Sequence, residues 1–386
     1  MPRRTLLAGL TIAGFWALGC SAPPVTAEPL ASAQEAIVNG VASTASQNFV
    51  VLILRQVSPT EAYECSGTLL TPSLVLTARH CVSQITDMAF SCDSKGNGTS
   101  GGAVGADVAA STLEIYTGTT RPALTARPAA TGSKIYHDGA TNLCNHDLAL
   151  VALSKPIAGA DIAQIRLSGS VFLAEGVTSV GWGVTTATIA PAVRQQRMGV
   201  SVVEVGPFSD PSGFDVAPNE FDVGESICQG DSGGPALDAT TGAVIGVVSR
   251  GGNGTNPTAT DPSSGCVNDP GAPAVNYYSQ TLAFASVINQ AYSDSGQAPW
   301  LEGGPDPRLG AGGATCAQNS DCQSNDCSGT SCTAVGMASA TPPHAKGGCS
   351  VGPGPGPDGR TSGGLWGLFS LGLWFGLHHS RARRAL

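Results

Sequence analysis

From residue 37 to about residue 292, apolar residues come in short runs bounded by Gly, Pro, Asn or Ser. Val50–Leu54, Ser66–Thr77, Leu148–Leu153, Val177–Val180 and Ala243–Val248 are such runs. Brief β-branched stretches between turn residues suit strands and leave little length for helices. One segment differs: Ser279–Ala291 sets Leu282, Ala283, Ser286, Val287 and Ile288 or Gln290 at helical spacing. The body therefore reads as all-β, closed or nearly closed, with one C-terminal helix. Ser91–Ser111, polar and Gly-rich, reads as an inserted loop.

Composition narrows the function. Of 386 residues, 41% are apolar and only 12% charged, so a sizeable core can form. Lys and Arg number 19 against 28 Asp and Glu, a net charge of −9. A nucleic-acid partner calls for a basic face, and this balance argues against one. Twelve Cys point to an oxidising compartment.

The two ends read as addresses. In residues 1–20, Arg3 and Arg4 precede an apolar stretch, Leu6–Leu18, as in an export signal peptide. Leu18-Gly19-Cys20 resembles a bacterial lipobox, with Cys20 as the lipidated residue. Ordinary cleavage after Val25-Thr26-Ala27 is the alternative. Residues 21–36 read as a propeptide or spacer, and residues 293–314, rich in Gly and Pro, as a linker. Residues 315–333 hold Cys316, Cys322, Cys327 and Cys332 in a segment too small for a hydrophobic core. Two disulfides are expected there, in any of three connectivities. The paired C-x2-C spacing of a zinc site is missing. Residues 334–364 form a second Gly/Pro-rich linker that contains Cys349. Residues 365–386 carry an apolar run, Leu365–Leu377, and a basic end, Arg381–Arg384. This layout resembles the C-terminal sorting tails of myxobacterial surface proteins; a short membrane helix is the alternative. Either places the body outside the cytoplasm, secreted or anchored to the cell envelope.

Chemistry concentrates in Gly230-Asp231-Ser232-Gly233-Gly234-Pro235. Small neighbours let a carbonyl approach the Ser232 hydroxyl, and glycines permit the tight backbone that turns N–H groups toward a developing oxyanion. A Ser between glycines also fits the nucleophile elbow of α/β-hydrolases, whose acid and His follow the Ser. Here the only His after Ser232 are His344, His378 and His379, all beyond the linker. Thr77-Ala78-Arg79-His80-Cys81 and His146-Asp147-Leu148-Ala149-Leu150 both precede it. The order His, Asp, Ser is that of chymotrypsin-type enzymes. His137 and His146 compete with His80 as base, and Asp138 competes with Asp147 as acid. His80 follows an apolar run and adjoins Cys81. Asp147 leads into a buried-type run, where a carboxylate needs a partner.

With Ile37-Val38-Asn39-Gly40 and Gly181-Trp182-Gly183, these blocks make residues 37–292 resemble a trypsin/chymotrypsin-fold serine protease. The resemblance implies two six-stranded antiparallel β-barrels with the site between them. It implies Ser232 as nucleophile, His80 as general base and Asp147 as the group that holds the imidazole. Gly230 and Ser232 N–H would form the oxyanion hole. A zymogen is implied, cut at Ala36–Ile37 by an activating protease, with the new Ile37 amine pairing with Asp231. Disulfides Cys65–Cys81 and Cys228–Cys266 are implied too, which leaves Cys92 and Cys144 to pair.

Specificity follows from the same comparison. Ser226 stands where trypsin-like enzymes carry a pocket Asp, with Ile227 next, so a pocket for apolar or small side chains is expected. Glu225, one residue off register, is expected in solvent. Ser249 matches a residue beside the buried acid. Arg250 replaces the usual Trp before Gly251, and is expected to favour acidic groups in the substrate. The expected activity is endopeptidase action on proteins or peptides through an acyl-enzyme, with no metal or organic cofactor. A catalytically silent homologue that binds peptides or surfaces is the alternative.

Overall fold

The computed structural model describes residues 37–335 except 59–60, 124, 185–190, 212 and 256–262. The export signal with Cys20, the propeptide through Ala36, and the tract and tail from residue 336, including Cys349, lie outside the described residues.

The described chain enters on a two-residue strand, β1 (Val41–Ala42). Six strands then close a barrel: β2 (Val50–Ser58), β3 (Glu61–Thr71), β4 (Leu74–Thr77), β5 (Leu113–Tyr116), β6 (Ala130–Tyr136) and β7 (Ala149–Leu153). Their order around the ring is β6-β7-β4-β3-β2-β5. A single helical turn, α1 (Arg79–Val82), follows β4. Val50–Ile53 and Leu74–Leu76 are buried at every position. They have no polar face because both faces are covered. The barrel core continues into Val180, Leu237, Val244 and Val247 of the second half, and into Phe284, Ile288, Ala291 and Tyr292 near the C-terminal helix.

The second half supplies β8 (Gly176–Gly181), β9 (Gln195–Ser201), β10 (Glu204–Val205), β11 (Glu220–Asp222), β12 (Pro235–Asp238), β13 (Val244–Gly252) and β14 (Val275–Gln280). With β1 they make an eight-stranded antiparallel sheet, β1-β9-β8-β12-β13-β14-β11-β10. The resemblance implied a second six-stranded barrel here. The hydrogen bonds give this open order instead, and among the described residues its two edges do not pair. Both edge strands have only two residues, which leaves few ladder bonds to close a ring. The sheet surrounds its own core, in which Phe221 and Tyr278 stack with ring centroids 5.3 Å apart.

Each of the five apolar runs forms strand. The helix, α2, is Ala285–Ser295 rather than Ser279–Ala291, with a 3-10 turn at Thr281–Phe284 before it. Ser279 is claimed by β14, where it pairs with Val247; sheet pairing overrides local spacing. Gly296 ends α2 at φ 65°, its N–H reaching the Ser293 and Tyr292 carbonyls. The inserted loop contains small sheets of its own: Ser91–Cys92 pairs with Gly98–Ser100, and Val104–Asp107 with Ser83–Ile85.

Disulfides join Cys65–Cys81, Cys92–Cys144 and Cys228–Cys266 in the body. In the small module they join Cys316–Cys327 and Cys322–Cys332, one of the three open connectivities. Residues 293–314 are not a free spacer. Ser293–Ser295 complete α2, and Trp300–Glu302 run beside Ile165. Ile165 N–H donates to Trp300 O, and Glu302 N–H to Ile165 O. Arg166, enclosed by Glu175 and Asp238, takes Glu302 as a third carboxylate at 2.5 Å. Arg308 Nη1 donates to Ala160 O at 2.7 Å. The segment is a strap along the body.

Candidate active site

β4 delivers the chain to α1, which carries His80, and β7 begins just after Asp147. Asp147 is fully buried. Its Oδ2 lies 2.8 Å from His80 Nδ1 and accepts from Ser249 Oγ at 2.7 Å. Its Oδ1 accepts from the His80 backbone N–H at 3.0 Å. Burial pushes this carboxyl up. The charge and hydrogen bond of His80 outweigh burial, with help from Ser249 and the His80 N–H, and Asp147 sits below its ordinary value. A carboxylate acceptor at Nδ1 selects the tautomer protonated there and leaves Nε2 as the basic nitrogen.

The two other histidines are engaged elsewhere. His137 Nε2 meets Asp107 Oδ2 at 2.9 Å, and His146 Nδ1 meets Asp138 Oδ2 at 2.5 Å. Asp138 also lies 3.6 Å from Arg79 Nη1.

Ser232 reaches the same surface through its backbone. Ser66 N–H on β3 donates to Ser232 O at 2.8 Å, and Cys81 Sγ lies 3.7 Å from that oxygen. On the other side, Gly233 N–H donates to Val248 O on β13 at 3.0 Å. Gly233 has φ 80°, and a β-carbon there would lie 2.1 Å from Thr77 Oγ1 and 2.5 Å from Ser66 O. Among the described residues, no hydrogen bond joins the Ser232 hydroxyl to the His80 ring. Gly230 N–H and Ser232 N–H donate to no backbone oxygen among the described residues, whereas Asp231, Gly233 and Gly234 N–H all do. Two such N–H groups, one residue apart, can face an anion.

Asp231 is fully buried and accepts from Gly183 N–H at 2.7 Å and Cys228 N–H at 2.9 Å. Burial pushes its pKa up to about 7, against the pull of those two donors. Nearby Glu64 adds to the rise and Arg121 opposes it. Ile37 is buried as well, but it makes no hydrogen bond with Asp231 among the described residues. The expected ion pair is not formed in this continuous chain, where Ile37 has no free amine.

Ser226 is fully buried, with Oγ 3.4 Å from Tyr278 OH, which in turn lies 2.8 Å from Ser179 Oγ. Ile227 joins the apolar core of the second half. Glu225 is not in solvent, as expected, but has a side chain only 11% exposed. Asn39 Nδ2, Arg197 Nη1 and Asn268 N–H donate to it at 2.7, 3.1 and 2.6 Å. Burial would raise its pKa, yet these donors hold it below the ordinary value.

Arg250 is not open to acidic substrate groups either. Its two terminal nitrogens grip both oxygens of buried Glu220 at 2.6 and 2.7 Å. Its guanidinium stacks 4.3 Å from the Tyr277 ring and 5.1 Å from Phe90. A fork-to-fork pair occupies the donors a ligand would need. Gly251 beside it is exposed. Sequence reasoning missed Glu220, Phe90 and Tyr278. No motif surrounds Glu220; its only signal is an acid beside a Phe of buried type.

This architecture is chymotrypsin-like: mostly β, with a closed six-stranded barrel, one short C-terminal helix and several disulfides. The family model described as Trypsin matches residues 37–264, and the chain belongs to that family. Among solved structures it is similar to neuropsin, a serine protease expressed in the limbic system of mouse brain. The two are 16% identical with a TM-score of 0.45, over 66% of this chain and 99% of that one. A trypsin-family domain implies a serine-type peptidase acting on proteins or peptides. Disulfide-bonded members of this kind are typically extracellular.

Proposed function

We propose that this chain is a serine endopeptidase, secreted or anchored to the cell envelope through its terminal signals, and made as a zymogen cut at Ala36–Ile37. The observation that carries this is the buried Asp147 carboxylate held by His80 Nδ1, His80 N–H and Ser249 Oγ. A buried ionised acid is costly unless paired, and here its partner is a ring positioned for proton transfer.

In the proposed cycle, His80 Nε2 takes the Ser232 hydroxyl proton as Oγ attacks the substrate carbonyl carbon. Asp147 stabilises the imidazolium. The oxyanion turns toward Gly230 and Ser232 N–H, each worth about 2.7–4 kcal/mol by analogy with other oxyanion donors. Collapse expels the amine, which takes the proton from His80 and leaves an ester on Ser232. Water, deprotonated by His80, then releases the acid. The neutral hydroxyls of Ser226 and Tyr278 offer no counter-ion for a Lys or Arg, which supports an apolar or small residue before the scissile bond. Freeing the Ile37 amine would supply the cation that buried Asp231 lacks.

The test is a fluorophosphonate probe on the full chain cut at Ala36–Ile37, read by intact mass, with Ser232→Ala as control. One adduct on the parent and none on the variant is expected. No adduct on folded, fully disulfide-bonded protein would favour the silent peptide-binding homologue.

A further inference from the structure

The two sides of Ser232 are built differently. On one side stands β13, with the Ser226–Tyr278 hydroxyls beyond it. On the other stands β3, whose Ser66 N–H holds Ser232 O and whose Ser66 Oγ donates to Gly230 O at 3.0 Å. Side chains alternate along a strand, so Glu64 shares the Ser66 face. Its Oε1 lies 3.6 Å from where a β-carbon at Gly230 would stand. Glu64 Oε2 accepts from Arg121 Nη1 at 2.6 Å. The remaining nitrogens of Arg121 are turned inward: Nε donates to Pro191 O and Nη2 to Trp182 O, both at 2.8 Å. Its guanidinium lies 5.7 Å from the Trp182 ring. The pair is thus a dipole with its negative end toward Gly230. The Glu64 side chain is 26% exposed, and its charge is felt at Asp231.

We infer that Glu64 forms a subsite for a basic side chain, Lys or Arg, at the first or second residue after the scissile bond. This rests on the protease reading above. There the acyl half of the substrate lies on the pocket side, so the half released from Ser232 crosses β3. A Lys or Arg arriving there finds Glu64 Oε1 as a charged acceptor. An acidic residue would find that same oxygen and no free donor from Arg121.

The experiment uses the full chain cut at Ala36–Ile37 and two internally quenched peptides. They are identical except that one carries Arg, and the other uncharged citrulline, at both positions after the bond. The Arg peptide should show kcat/KM about fivefold higher, since a partly exposed ion pair is worth up to ~1 kcal/mol. The ratio should fall toward one in Glu64→Gln, and in the parent with about 0.5 M NaCl, where screening is short-ranged. Each ratio is taken within one protein, so partial misfolding of Glu64→Gln cannot imitate the loss. The same peptides bound to the Ser232→Ala chain, followed by fluorescence anisotropy, should give the same ratio in Kd. Fluorophosphonate labelling reports separately on the protease reading, and if it fails the binding ratio still decides. Equal values for the two peptides in the parent, or a ratio that survives in Glu64→Gln, would overturn the subsite.

Discussion

Ser249 Oγ donates at 2.7 Å to the same Asp147 oxygen that faces His80 Nδ1 at 2.8 Å. Ser249 belongs to β13 in the second half and His80 to α1 beside the barrel, so the buried carboxylate joins the two halves at the site. The two contacts differ in what depends on them. Asp147→Asn would present an amide donor and allow the wrong tautomer, and should lower kcat by on the order of 10⁴-fold with folding retained. Ser249→Ala removes one hydrogen bond to a charge and should cost about tenfold. Rates normalised to fluorophosphonate-titrated sites would check both. An Asn variant within about tenfold of the parent would remove Asp147 from the proposed role.

Two buried carboxyls make the uncut chain sensitive to pH. Burial raises Asp231 from 3.8 to about 7 and Asp222 from 3.8 to about 6. Between those limits the folded chain holds protons that the unfolded chain has released, so stability falls as pH rises through the window. Asp147 is depressed instead. Its contribution is present above the unfolded value and is lost only as pH falls below about 4, outside this window. The uncut chain, carrying Ser232→Ala to prevent self-cleavage, should melt highest near about pH 5 and roughly 5 °C lower near pH 8. Cutting Ala36–Ile37 should flatten the slope by giving Asp231 a cation. Calorimetry across that range decides, and a Tm that climbs steadily to pH 8 would refute the account.

Gly233 and Gly242 both have positive φ, at 80° and 73°, but differ in their surroundings. A β-carbon on Gly233 would collide with Thr77 Oγ1 and Ser66 O, while one on Gly242 meets nothing within 4 Å. Gly242→Ala should therefore cost only the left-handed backbone penalty, about 1–2 kcal/mol. Gly233→Ala should cost more than about 4 kcal/mol or block folding, and abolish probe labelling. Urea unfolding of the two variants provides the comparison. Similar midpoints would mean that the loop carrying Ser232 is not seated between β3 and β13 as described.

Much of the site was legible because its parts are local. Thr77–Cys81, His146–Leu150 and Gly230–Pro235 each announce a role through neighbours a few residues away, and so did the five strands. The misreadings share one cause: partners distant in sequence. Arg250 looked like a free cation because Glu220, 30 residues earlier, meets it only through strand pairing. Glu225 looked solvent-exposed because Asn39 and Asn268 converge on it from far along the chain. The helical spacing at Ser279 was real, but β14 had the stronger claim, with Val247 opposite and the Ser279 hydroxyl donating to Asp147 O at 3.0 Å.

The strap is the largest of these distant effects. Composition made residues 293–314 look like a spacer, because Gly and Pro give no periodic pattern. Yet Arg166, with a side chain 11% exposed, is surrounded by Glu175, Asp238 and Glu302, and the last of these comes from the strap. Thr241 Oγ1 also donates to Glu302 at 2.6 Å, and Gly303 N–H to Gln164 Oε1 at 2.9 Å. A chain stopped after Gly296 loses all of these contacts, whereas one stopped after Arg308 keeps them and loses only the disulfide module. The shorter chain should melt roughly 5 °C lower than the longer, and the longer within about 2 °C of the parent. Removing the central cation by Arg166→Met should be worse still, at about 3–5 kcal/mol, because Glu175 is then left buried without its partner. Glu302→Gln should cost much less in the Arg166→Met background than alone, which separates coupling from general damage. Equal melting of the two truncated chains would return residues 293–314 to the role of a spacer.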